Sequence, residues 1–159
     1  MSPRAAWRLE SIGFAEVFEY GAGKLDWMAA GLPTEGTNSQ RPRAGDVARR
    51  DVPTCGLKEP LGAVKDRVDK EGWDAAVVVN DERVVLGLLR AKELAGEPEL
   101  TIEQAMRPGP STFRTFVAIA EMARFFVEHD LESSPVTTAD GRLVGLLLRR
   151  DVVGEPQPA

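Results

Sequence analysis

The feature that most constrains this chain is that it copies itself. Gly87-Leu88-Leu89 returns as Gly145-Leu146-Leu147, a displacement of 58 residues (145 − 87 = 58). The same step carries Arg49 onto Arg107, Thr54 onto Thr112, Val78 onto Val136 and Glu93 onto Asp151. Each copy opens with a short extended piece, "DVPTC" and then "GPSTF". A helix follows, carrying Leu61, Val64 and Val68 in the first copy and Ile119, Met122, Phe125 and Phe126 in the second. Spacings of three and four set these apolar residues on one helical face. Then come a β-rich run ("AAVVVND"; "SPVTTAD"), a turn, a second apolar strand and a short terminal helix. Asp140-Gly141 between two apolar runs predicts a tight hairpin. The copy order is therefore β-α-β-β-α, and the class is α+β. A repeat this short buries its sheet poorly alone, so two copies are expected to pack with pseudo-twofold symmetry. That packing leaves clefts where strand ends and helix N-termini meet, which suit a small anionic ligand.

The copies occupy residues 46–102 and 103–154, with a tail at 155–159. Residues 37–45, "TNSQRPRAG", read as a linker. Residues 1–36 are expected to form a short helix-strand-helix segment. The formal charge of -5 gives no broad basic surface for nucleic acid. Cys55 is the single cysteine, so no internal disulfide can form, in keeping with a reducing compartment. No apolar run approaches the roughly 20 residues of a membrane span, and "MSPRAAWRLE" lacks the apolar centre of a signal peptide. The expectation is a soluble, cytoplasmic protein with no nucleic-acid or membrane partner.

"RRDVPT", "AMRPGPST", "SSPVTTADGRLVGLLLRRDVV" and, more weakly, "AAVVVNDERVVLGLLRAKEL" resemble a tandem pair of CBS domains, the module named after cystathionine β-synthase. The resemblance implies a disc-like homodimer that binds an adenosine-containing ligand such as AMP, ATP or S-adenosylmethionine and regulates a partner protein. It also implies ligand positions: a Val-x-Thr-like opening strand, a Pro-Val pair, and Gly-h-h-Thr/Ser-x-x-Asp (h apolar), whose Asp holds the ribose hydroxyls. Carried over, the second copy offers Ser111, Thr112, Pro135, Val136, Gly145 and Asp151, with Leu148 where Thr or Ser is expected. Arg149 and Arg150 stand ready for a phosphate. The first copy offers a weaker site in Val52, Thr54, Gly87 and Glu93, with Arg90 replacing the Thr/Ser. A carboxylate accepts from both hydroxyls of a cis-diol in charge-assisted bonds, and Asp fixes that geometry with less rotamer entropy than Glu. The plain alternatives stay open. Asp151 suits the first turn of a helix, Arg149 and Arg150 suit a solvated surface, and Thr54 and Thr112 suit local backbone bonding.

Gly13-Phe14, Val17, Gly21, Gly23, Trp27 and Ala30-Gly31-Leu32-Pro33 resemble the C-terminal end of a rhodanese-like domain, with Ser2 capping the helix before it. In that family the nucleophilic cysteine precedes this helix, so the resemblance implies a fragment of a longer domain. Cys55 falls on the first copy's opening strand and reads as a core residue. His129 reads as a helix C-terminal residue and Trp73 as packing; neither suggests a metal site. Three functions compete: a non-catalytic nucleotide sensor with no required cofactor, a ligand-free dimerisation or protein-interaction scaffold, and a truncated sulfurtransferase-related protein.

Overall fold

The computed structural model describes residues 3–18, 20–21, 23–29, 32–36 and 41–154. Ser2, Ala30, Gly31, the first part of the expected linker and the 155–159 tail lie outside them. Two helices lead, α1 (Pro3–Ser11) and α2 (Gly23–Ala29). No strand forms between them among the described residues, contrary to the helix-strand-helix expectation. An extended segment needs a ladder partner to persist, and residues 14–18 have none.

The repeat follows. The first copy comprises α3 (Ala44–Val47), β1 (Thr54–Cys55), α4 (Leu61–Lys70), β2 (Ala76–Val79), β3 (Val85–Leu89) and α5 (Ala91–Leu94). The second comprises α6 (Ile102–Ala105), β4 (Arg107–Pro108), β5 (Phe113–Arg114), α7 (Ile119–Glu128), β6 (Ser133–Thr137), β7 (Leu143–Leu148) and α8 (Arg149–Val153). Even the strand register is copied. Cys55 pairs with Val78 and Val78 with Gly87; 58 residues on, Phe113 pairs with Val136 and Val136 with Gly145. A bulge follows Val78, and its mate follows Val136. Both copies turn between their central strands by the same device, a positive φ at matching positions, Arg83 at 63° and Gly141 at 85°. Glycine takes this conformation at no steric cost. In the first copy the Asn80 side chain accepts from the Glu82 and Val84 N–H groups at 3.1 and 2.8 Å.

The two copies exchange their lead-in segments. Arg107, at the start of the second copy, pairs with Leu88 on β3 of the first. Arg49, at the start of the first, pairs with Leu146 on β7 of the second. These pairs are each other's images under the 58-residue step. The hairpin turns also meet, Val84 against Arg142. Each helix buries its apolar stripe on its own sheet: Leu61, Val64 and Val68 from α4, Met122 and Phe126 from α7. Between the sheets lies a third apolar cluster of Val52, Ala75, Val77, Leu88, Leu143, Leu146 and Leu148. Trp73 packs against both this cluster and the first copy's core.

The N-terminal segment hydrogen-bonds to the second copy and to the residue that leads into the first. Thr115 Oγ1 donates to the Met28 carbonyl at 3.5 Å, and Arg43 donates to Thr34 Oγ1 at 3.3 Å. Trp7, Ile12, Phe14 and Phe18 stay in solvent, Trp7 at 68% and Phe18 at 83% exposure, while Trp27 and Met28 are half-buried.

Candidate functional site

The exchange of lead-in segments brings Arg49 to Asp151. β7 ends at Leu148, and α8 begins at once, placing Asp151 in its first turn. Arg49 is fixed by two backbone bonds to Leu146, its N–H donating to the Leu146 carbonyl and the Leu146 N–H returning the bond, both at 2.9 Å. From there its guanidinium donates to both Asp151 carboxylate oxygens at 2.7 Å. This two-pronged geometry is the strong form of the arginine–carboxylate bond. Hydrogen bonding from Arg49 holds the Asp151 carboxyl below the usual carboxylate range, against the opposing effect of partial burial.

Two neighbouring cavities lie near this pair; Arg49 lines one of them, and Asp151 lines neither. One, of about 260 Å³, is lined by Arg49, Asp51, Glu71, Gly72, Trp73, Asp74 and Arg150. The other, of about 240 Å³, is lined by Ser133 and by four pairs that match under the repeat: Asp74 with Glu132, Arg90 with Leu148, Ala91 with Arg149 and Lys92 with Arg150. It therefore lies on the pseudo-twofold axis. Asp74 and Arg150 line both cavities.

Among the residues expected at the second-copy site, Arg149 and Arg150 line the axial cavity. Arg149 is tied there to Asp130 at 2.9 Å and Glu132 at 3.5 Å. Asp151 meets Arg49, as described. Ser111 and Thr112 lie exposed ahead of β5, with the Ser111 carbonyl accepting from Ser134 Oγ at 2.6 Å. Pro135 and Val136 are buried within β6. Gly145 lies beneath the crossing Arg49 backbone, where a Cβ would stand 2.6 Å from the Arg49 carbonyl oxygen. In the weaker set, Val52 belongs to the inter-sheet core. The Thr54 carbonyl accepts from Arg67 at 2.9 Å, and Gly87 admits Met106 and Arg107. Glu93 accepts from the Arg90 backbone N–H at 3.0 Å, capping α5. Sequence reasoning left Arg49, Asp74 and Lys92 without a role. The repeat match of Arg49 with Arg107 was the available signal, but it says nothing of the partner strand.

Arg90 departs furthest from the family pattern. It crosses between copies, donating to the Ser133 carbonyl at 3.0 Å and to Ser133 Oγ at 3.3 Å. Burial, and then the nearby Arg107, lower its pKa from the ordinary arginine value.

Cys55 is buried on β1, and burial, reinforced by the charge of Glu59, pushes its thiol up to about 12. A nucleophilic cysteine needs the opposite shift. A chromogenic disulfide reagent at pH 8 is expected to leave the native thiol unreacted and to titrate one thiol after denaturation. Rapid labelling of the native protein would contradict this core placement. His129 caps the C-terminus of α7, its ring 4.1 Å from that of Phe125.

A family model for the CBS domain matches residues 44–100 and again 101–157. The uncharacterized protein YtoI of Bacillus subtilis is 32% identical over 97 residues, 56% of this chain; the match spans only 22% of that relative. Among solved structures, CBSX2 in complex with AMP superposes with a TM-score of 0.65 at 20% identity, over 70% of this chain and 93% of that one. The cytosolic domain of the Mg2+ channel MgtE in complex with ATP gives 0.65 at 22% identity, over 70% of this chain and 48% of that one. At such identities the structural likeness speaks for the fold, and with the doubled family match it follows that this chain belongs to the CBS domain family and carries two CBS domains in tandem.

Proposed function

We propose that the chain is a non-catalytic regulatory module that binds an adenosine-containing nucleotide beside Asp151. The observation that carries this reading is the ionised Asp151 carboxylate, held by Arg49, which itself lines the nearby cavity. A ribose cis-diol takes the two carboxylate oxygens in place of the guanidinium. Arg150, which lines the same cavity as Arg49, then meets the phosphate. The solved relatives in complex with AMP and ATP support the ligand class. Homodimer formation and a regulated protein partner belong to the same proposal. The exposed Trp7, Ile12, Phe14 and Phe18 support such association.

A thermal-shift series with AMP, ADP, ATP and S-adenosylmethionine tests this. A ligand at 100 times its Kd is expected to add about 2.7 kcal/mol to the stability. Asp151→Asn is expected to weaken that ligand at least tenfold, whereas Glu93→Gln, whose carboxylate caps a helix, changes it little. Equal effects would move the site to the first copy. Silence across the series would sink the sensor reading. It would favour the scaffold, for which one observation speaks: the chain's own Arg49 already occupies the Asp151 carboxylate.

A further inference from the structure

The axial cavity is more basic than its neighbour. Arg90, Lys92, Arg149 and Arg150 line it, against only Asp74 and Glu132. The adjoining cavity has the opposite balance, with Arg49 and Arg150 against Asp51, Glu71 and Asp74. Among the described residues, Arg90, Lys92 and Arg150 form no ion pair. Arg90 is half-buried; burial and the nearby Arg107 weigh against its charge by more than Glu93 and Glu132 offset, so an incoming anion relieves an existing cost. The cavities measure about 240 and 260 Å³. Each falls short of the roughly 300 Å³ at which small-molecule pockets begin, and together they pass it.

Resting on the nucleotide reading above, we infer that the module selects nucleoside polyphosphates, with the nucleoside beside Arg49 and Trp73 and the phosphate tail on the axial cluster of Arg90, Lys92 and Arg150. The selectivity arises from this chain's departures from the family pattern. Arg90 and Leu148 are images under the 58-residue step (148 − 90 = 58), so a cation faces a hydrocarbon where the pattern expects two hydroxyls. Each further phosphate brings negative charge toward unpaired cations, while the sulfonium of S-adenosylmethionine brings the wrong sign. Arg149 contributes less, since Asp130 and Glu132 already hold it.

Titration calorimetry of the full chain with AMP, ADP and ATP tests the inference. ATP is expected to bind at least tenfold more tightly than AMP, with ADP between them. Lys92 is exposed, so its substitution spares the core. Lys92→Glu is expected to weaken ATP more than tenfold and AMP less than threefold. Arg90→Gln should act in the same direction. AMP and ATP binding equally would overturn the polyphosphate inference while leaving the adenosine reading intact. An ATP preference that survives Lys92→Glu and Arg90→Gln would overturn the placement of the tail. No nucleotide binding at all would overturn both.

Discussion

Truncating Phe126 to alanine is expected to lower the unfolding free energy by about 3–5 kcal/mol, the cost typical of emptying a large buried aromatic position. Phe126 is fully buried and stacks on Phe113, with ring centroids 5.9 Å apart and planes inclined by 22°. It shares its cluster with Ala44, Ala48, Met122, Val136, Leu147 and Val152. Ala48 immediately precedes Arg49, and Val152 immediately follows Asp151. The ring thus supports both ends of the ion pair, and the cavity it leaves loosens the site as well as the fold. Denaturant titration checks this: the midpoint should fall while the slope stays constant. Phe125 is the control. It is only partly buried and meets Phe113 edge-on at 5.3 Å, so its truncation should cost clearly less. A loss for Phe126→Ala below about 1 kcal/mol would mean that the surrounding side chains collapse into the space.

Local signals in the sequence led to the right elements because they are themselves local. Helical spacing of Leu61, Val64 and Val68 named the buried face of α4, and Asp140-Gly141 named a turn whose glycine takes a positive φ. Cys55 and His129 were legible for the same reason, one on an apolar strand and the other just past a helix. The exchange between copies was not legible. Arg49 and Asp151 are 102 residues apart and are joined through a single bridged residue on β7, which leaves no periodic trace. Position-by-position transfer within one copy grouped Asp151 with Ser111 and Thr112. The structure instead sets beside it the lead-in of the other copy. The axial cavity was invisible for a related reason. Its lining comes in pairs from both copies, and Arg90 acts on Ser133 across the axis.

That crossing makes Gly145, among the described residues, the glycine whose added side chain would meet the closest backbone. Gly145→Ala is expected to destabilise the fold by roughly 3 kcal/mol, the upper part of the range for overpacking. The added Cβ would stand 2.6 Å from the Arg49 carbonyl oxygen, 3.0 Å from its carbon and 3.1 Å from Ala48 Cβ. Two of these three atoms are backbone, so no side-chain rotation relieves the clash. Displacing them stretches both backbone bonds between Arg49 and Leu146, each contributing about 1 kcal/mol. The guanidinium moves with its backbone and loses its two-pronged hold on Asp151. If the nucleotide site lies there, its affinity should fall with the stability. The image of this position supplies the comparison. At Gly87 the nearest atom is the Met106 sulfur, the end of a flexible side chain, and the nearest backbone atom is 3.2 Å away. Gly87→Ala should therefore cost about 1 kcal/mol, because a methionine can repack where a backbone cannot. Equal costs for the two substitutions would show that the Arg49 segment yields as readily as a side chain, and that it is no fixed mount for the Asp151 pair.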